Sequence, residues 1–170
     1  MRRFQVKNLI HLNVFLILIC GFSGASAMEL KSIDIDRLKI TIVYDNYAYD
    51  RHLKTDHGFA WLIEGLDEVV LFDTGGNGLI FMDNLKQLGI NPEQVDAVFI
   101  SHNHYDHSGG LIRFLEANPS VKIFMVHSAS ASHASISEQY EAKVVGVEGP
   151  RTIGGSALST GEMQSPIIAE

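Results

Sequence analysis

The chain is predicted to fold as an α/β domain of two stacked sheets with helices packed outside. Three observations carry that expectation. Short apolar runs rich in Val, Ile and Phe alternate with stretches of helical spacing. Two early strands are close enough in sequence to pair across a tight turn. A strand-turn-helix unit over residues 96–116 sets a polar cluster at the carboxyl end of a strand, where open sheets hold their ligands.

With 170 residues and 46% apolar composition, the chain can bury one real core. It has 13 Lys and Arg against 20 Asp and Glu, a net charge of −7, so the basic footprint of a nucleic-acid binder is missing. Residues 1–27 read as a secretory signal peptide: Arg2, Arg3 and Lys7, then a short apolar run, then the small-residue site Ala25-Ser26-Ala27. The apolar run is too short to span a bilayer comfortably. An exported protein, periplasmic or secreted and free of the membrane after cleavage, is expected, with residues 28–170 as its domain. Cleavage removes three basic residues and Cys20, the only cysteine, leaving −10 and no thiolate. Any metal must then be held by nitrogen and oxygen.

Residues 38–45, rich in Ile and Val, read as the first strand. Residues 46–56 are polar and aromatic, either a wall of a substrate cleft or a solvated connection. His57 follows at a strand start, where a lone histidine is more often structural than functional. Residues 59–64 and 68–72 read as strands around the three-residue turn Gly65-Leu66-Asp67. Asp73-Thr74-Gly75-Gly76-Asn77-Gly78 is a turn but not a phosphate loop, since it lacks the Gly-Lys-Ser/Thr ending. Leu79, Met82, Leu85 and Leu88 have helical spacing, and Gly89 stops the helix. Asn91-Pro92 is a cap with proline at the first helical position. After the strand 97–100 and its polar turn, residues 110–116 read as a helix and 121–126 as a strand. A Ser/Ala-rich stretch with His127 and His133 follows, then a strand over 143–147, turns at 148–150 and 154–156, and a strand-like end at 166–170.

The polar turn carries the chemistry. His102, His104, Asp106 and His107 fall within six residues. In extended chain the side chains at i and i+2 point the same way, so His102 and His104 can share one cation. Asp106 and His107 follow on the turn and can face a second cation. Imidazole with carboxylate is a ligand set for zinc, iron or manganese. The bland alternative is a loop that merely happens to be histidine-rich. Four ligand-type residues at one strand-to-helix turn argue against it.

The run Ser101-His-x-His-x-Asp-His-x-Gly-Gly110 resembles the signature of the metallo-β-lactamase-fold superfamily. Residues 40–45, 57–64 and 70–76 are similar to its first strands and its Asp-Thr-Gly turn, most of all in the dihydropterin-phosphate-synthase-like branch. The resemblance runs over roughly residues 38–170. It implies a four-layer αββα sandwich, incomplete here: the first half and the start of the second. It implies a first metal on His102 and His104 and a second on Asp106 and His107. Asp106 would also orient the attacking water, and Asp73 would brace a ligand histidine from behind rather than serve as a plain turn residue. Two zinc ions are expected, with iron or manganese as alternatives, and a small-molecule substrate. The implied function is a metal-dependent hydrolase of an ester, thioester, phosphoester or lactam. The alternatives are iron-dependent redox or sulfur chemistry, or an inactive metal-binding fragment. His127 and His133 do not match the position of the family's third histidine. That residue, a bridging carboxylate and a last histidine are expected beyond Glu170.

Overall fold

The computed structural model describes residues 30–163. The expected signal peptide, 1–27, and the expected strand-like end, 166–170, lie outside the described residues.

One six-stranded sheet organises them, in the order β1-β2-β3-β4-β5-β6. β1 (Lys39–Tyr44), β2 (Ala60–Glu64) and β3 (Val70–Phe72) pair antiparallel. From β3 onward, β4 (Ala97–Ile100), β5 (Lys122–Val126) and β6 (Lys143–Val147) add in parallel. Parallel neighbours need a crossover long enough to hold a helix. α1 (Gly78–Gln87) joins β3 to β4; α2 (Tyr105–Ser108) and α3 (Leu111–Leu115) join β4 to β5. α4 (His127–Ser130) and α5 (Ala134–Gln139) join β5 to β6.

The central strands are apolar on both faces, as strands covered from two sides must be. On the helix side Leu71, Val98, Ile100, Ile123 and Met125 pack with Phe81, Leu85 and Phe114 of α1 and α3. On the other side Val70, Ala97, Phe124 and Val147 receive Ile153 from a hairpin of β7 (Arg151–Ile153) and β8 (Ala157–Ser159). Among the described residues this hairpin is all that stands where the second sheet was expected. Beyond it a half-buried aromatic row runs along the same face: Phe59 and Trp61 edge-on, Trp61 and Phe72 edge-on, Phe72 stacked on Phe99 at 5.6 Å.

Local signals act largely as read. Asn77 caps α1, its Oδ1 accepting from Leu79 N and Ile80 N, and Gly89 takes the left-handed φ of +69° just past its end. Asn91 caps the 3₁₀ turn that starts at Pro92. Three differences have physical causes. The connection between β2 and β3 is longer than three residues, because Glu68 turns aside to pair with Lys122 and Val69 N donates to Asp96. The Ser/Ala-rich stretch after β5 is helical, packed on the sheet through Ala129 and Ile136. Tyr105–Ser108 forms a turn of helix instead of an open loop.

Asn84, on α1, is 1% exposed and ties three segments together. Its Nδ2 donates to Val43 O and Lys54 O, and its Oδ1 accepts from Lys54 N, each at 2.9 Å. Asn84→Ala strands those backbone groups. It is expected to lower unfolding free energy by about 2–3 kcal/mol, read as a shift of the urea midpoint at unchanged slope.

Candidate metal centre

The site forms because the β3 end is stapled to the α2 turn. Asp73 N donates to Phe99 O and Thr74 N to His107 O, both at 2.8 Å; Gly110 N returns a bond to Gly75 O. A Cβ at Gly110 would collide with Thr74 O, which explains a glycine at that crossing. Asp73 is itself held at φ 57°, a left-handed conformation that only a few non-glycine residues tolerate. Its hydrogen bonds offset that strain.

Asp73 is 1% exposed, and its carboxylate takes three donors. Oδ1 accepts from Ser101 N; Oδ2 accepts from Ser101 Oγ and from His107 Nδ1, all at 2.8 Å. The donor count then orients two rings. A carboxylate only accepts, so His107 carries a proton on Nδ1, and in the neutral ring Nε2 is the lone pair. The Ser101 hydroxyl spends its one proton on Asp73, so at 2.9 Å it accepts from His102 Nδ1–H. In the neutral ring His102 Nε2 is the lone pair as well. Burial first, then the neighbouring His107 and His104, push the His102 pKa down, which favours its neutral ring. A neutral imidazole anchored through one nitrogen is what cation ligation needs.

The structure brings all four expected residues together. His102 Nε2 lies 3.1 Å from His104 Nδ1, and the His102 and His107 ring centroids are 4.1 Å apart. His107 Nε2 faces Asp106 Oδ2 at 3.4 Å. Either a proton on Nε2 or a cation held between the two atoms makes that contact favourable. The donor chemistry therefore fits divalent cations. Among the described residues no group of three or more His, Cys, Asp or Glu side chains is placed to hold a metal ion; the donors meet in pairs.

One neighbour was read from the sequence as more often structural than functional. His57, 49 positions before Asp106 in the chain, puts Nε2 at 3.3 Å from Asp106 Oδ2. Main chain sets it there: Phe59 N donates to Asp106 O at 3.3 Å. His127 stands at the carboxyl end of β5, with Nε2 3.4 Å from Glu148 Oε1, and His133 Nδ1 is bonded to Ala129 O at 3.0 Å. The polar loop before His57 walls a cavity of about 330 Å³ together with Tyr44 and Asn84, and no residue of the candidate centre lines it.

Fold and site together define a class: an α/β domain with imidazoles and carboxylates gathered at the carboxyl edge of a mixed sheet. The family model of the metallo-beta-lactamase superfamily matches residues 53–165, and the chain belongs to that superfamily. It is 38% identical over 96 residues to a 7,8-dihydropterin-6-methyl-4-(beta-D-ribofuranosyl)-aminobenzene-5'-phosphate synthase of Methanocaldococcus jannaschii, covering 53% of this chain and 33% of that one. It is 33% identical over 79 residues to the flavo-diiron protein FprA2 of Clostridium acetobutylicum, covering 44% and 20%. The match thus spans a third or less of either relative's length. Among solved structures, the metallo-beta-lactamase fold protein YhfI of Bacillus subtilis superposes with a TM-score of 0.54 at 19% identity, over 70% of this chain and 51% of that one. That likeness shows the fold, and the expected αββα class agrees with it.

Proposed function

We propose that the chain works as an exported metal-dependent hydrolase of a small molecule. His102 and His104 would hold one cation, Asp106 and His107 a second. The observation that carries this reading is the anchoring of His102 and His107 through Nδ1, by Ser101 and Asp73, which leaves both Nε2 atoms to face the cluster. Bound divalent cations supply Lewis acidity, acidifying a water and polarising the bond under attack. The chain's own part is to hold the imidazoles aimed, and to present the Asp106 carboxylate as acceptor for a proton of the attacking water. Within esters, thioesters, phosphoesters and lactams, the likeness to the phosphate synthase favours a phosphorylated substrate. Export is supported by the composition of residues 1–27. Among the described residues no helix is long and apolar enough to cross a membrane.

The likeness to a flavo-diiron protein favours a second reading, iron with redox chemistry. Metal analysis separates the two. The hydrolase reading expects about two equivalents of zinc per chain and chelator-sensitive turnover of generic phosphoesters or thioesters. Iron with visible absorption and no such turnover would sink it. Folded chain that binds cations yet turns over nothing would support a binding module only.

A further inference from the structure

Residues 45–56 run between β1 and β2 without helix or strand, yet the segment is fastened near both ends. Asn46 Oδ1 accepts from Gly58 N at 2.7 Å, and buried Asn84 holds both Lys54 N and Lys54 O at 2.9 Å. Between these fastenings the segment walls the cavity of about 330 Å³. We propose that this cavity is a binding site for a small organic ammonium ion, a compound whose positive nitrogen carries alkyl groups. No residue of 102–107 lines it, so the inference stands apart from the metal-centre reading.

The lining supplies apolar surface and aromatic rings. Val43, Tyr44 and Asn84 are each 1% exposed. Val43 is the extra residue of a β-bulge: Ile42 pairs with Trp61 and Tyr44 with Ala60, so the register shifts beside the cavity. Such bulges re-aim side chains and are common next to functional sites. The polar atoms of this buried part are engaged. Tyr44 Oη accepts from Asn77 N at 3.1 Å, and the Asn84 amide binds Val43 O and Lys54. Tyr47 and Tyr49 line the same cavity and stand about four-fifths exposed. Two phenol rings left in water bury little against the chain itself, and a ligand in the cavity would cover them.

Charge then selects the ligand. The charged residues of the lining are Asp45, Asp50 and Lys54. Lys54 Nζ is already paired with Asp83 Oδ2 at 2.9 Å. The carboxylates of Asp45 and Asp50 each take a main-chain N–H on Oδ1, from Asn46 and His52, and keep Oδ2 for another partner. The main-chain N–H and ring of His52 hold the Asp50 carboxyl below its usual range. An anion in this cavity would face two carboxylates and a lysine already engaged. A neutral apolar compound would strip water from the carboxylates and return nothing. A cation with an alkyl surface satisfies the whole lining: carboxylates answer its charge, ring faces attract it through their quadrupole, and the buried part takes its methyl groups. The volume lies within the range of small-molecule sites, which begins at about 300 Å³.

The test titrates choline chloride into the full chain by calorimetry at constant ionic strength, beside its uncharged isostere 3,3-dimethylbutan-1-ol. Circular dichroism checks the fold of every variant. Choline is expected to bind saturably, about tenfold more tightly than the alcohol, and to do so with or without a metal chelator. Tyr47→Ala and Tyr49→Ala should each weaken choline roughly three- to tenfold, whereas Tyr47→Phe and Tyr49→Phe, which keep the ring face, should bind like wild type. Asp45→Asn should weaken choline by up to about fivefold and leave the alcohol unchanged. No saturable binding of choline to folded wild-type chain would overturn the inference. Equal affinity for choline and the alcohol would overturn it too, since the cavity would then read apolar surface and not charge. Folded alanine variants with undiminished affinity would place the binding elsewhere and likewise end it. Should the alanine variants unfold, Asp45→Asn decides: wild-type affinity for choline there overturns the inference, and a selective loss upholds it.

Discussion

Replacing Asp73 by alanine is expected to remove about 3 kcal/mol of stability and to weaken cation binding by roughly 10- to 100-fold. Both effects come from one buried carboxylate. Its three bonds hold Ser101 N, Ser101 Oγ and His107 Nδ1. Alanine leaves a buried main-chain N–H unpaired at the end of β4. It also frees His107 to rotate and to place its proton on either nitrogen. Asp73→Asn separates the two effects. Asparagine tolerates the left-handed φ and still accepts from Ser101 N. Its amide, however, donates toward His107 Nδ1, which forces the histidine proton onto Nε2 and blocks that atom as a ligand. The asparagine variant should keep most of the stability and still lose metal. Urea unfolding and bound-zinc analysis, run side by side, read the two quantities. An asparagine variant with wild-type zinc content would show that the tautomer of His107 does not matter.

His102→Ala should do the reverse: leave the fold within about 1 kcal/mol of wild type and lower the affinity of the first cation by two decades or more, beyond what loss of an outer partner costs. His102 is only partly buried, and Ser101 keeps its bond to Asp73 after the imidazole is gone. The stability cost is therefore small. The binding cost is large because His104 alone remains of the pair, and one exposed imidazole does not hold a divalent cation against water. Elemental analysis after dialysis measures the loss. Full metal content together with full activity in this variant would mean that the residues 102–107 are not the ligands.

Much of this site was legible before folding, because its residues are neighbours in the chain. A cluster spanning six positions needs no tertiary contact to be noticed, and the strand before it is a continuous apolar run that fits a buried β4. Caps and stops were legible for the same local reason: Asn77, Asn91 and Gly89 act within a few residues of themselves. The helices after β5 were not. Serine competes for backbone hydrogen bonds and weakens the helical signal, and what holds them is packing of Ala129 and Ile136 against the sheet. The β7–β8 hairpin was missed because strands of three residues carry almost no periodicity; Ile153 secures it by burial against Phe124 and Val147.

The sequence by itself set the candidate donors: three imidazoles and a carboxylate on a strand-to-helix turn. Tertiary structure alone brought Asp73 behind the cluster and His57 beside it: Asp73 stands 34 positions from His107, and His57 49 from Asp106. The physical reason is reach. Spacing along a strand or turn sets where nearby side chains point, whereas hydrogen-bond direction between distant segments is fixed only when sheet register brings their backbones into contact.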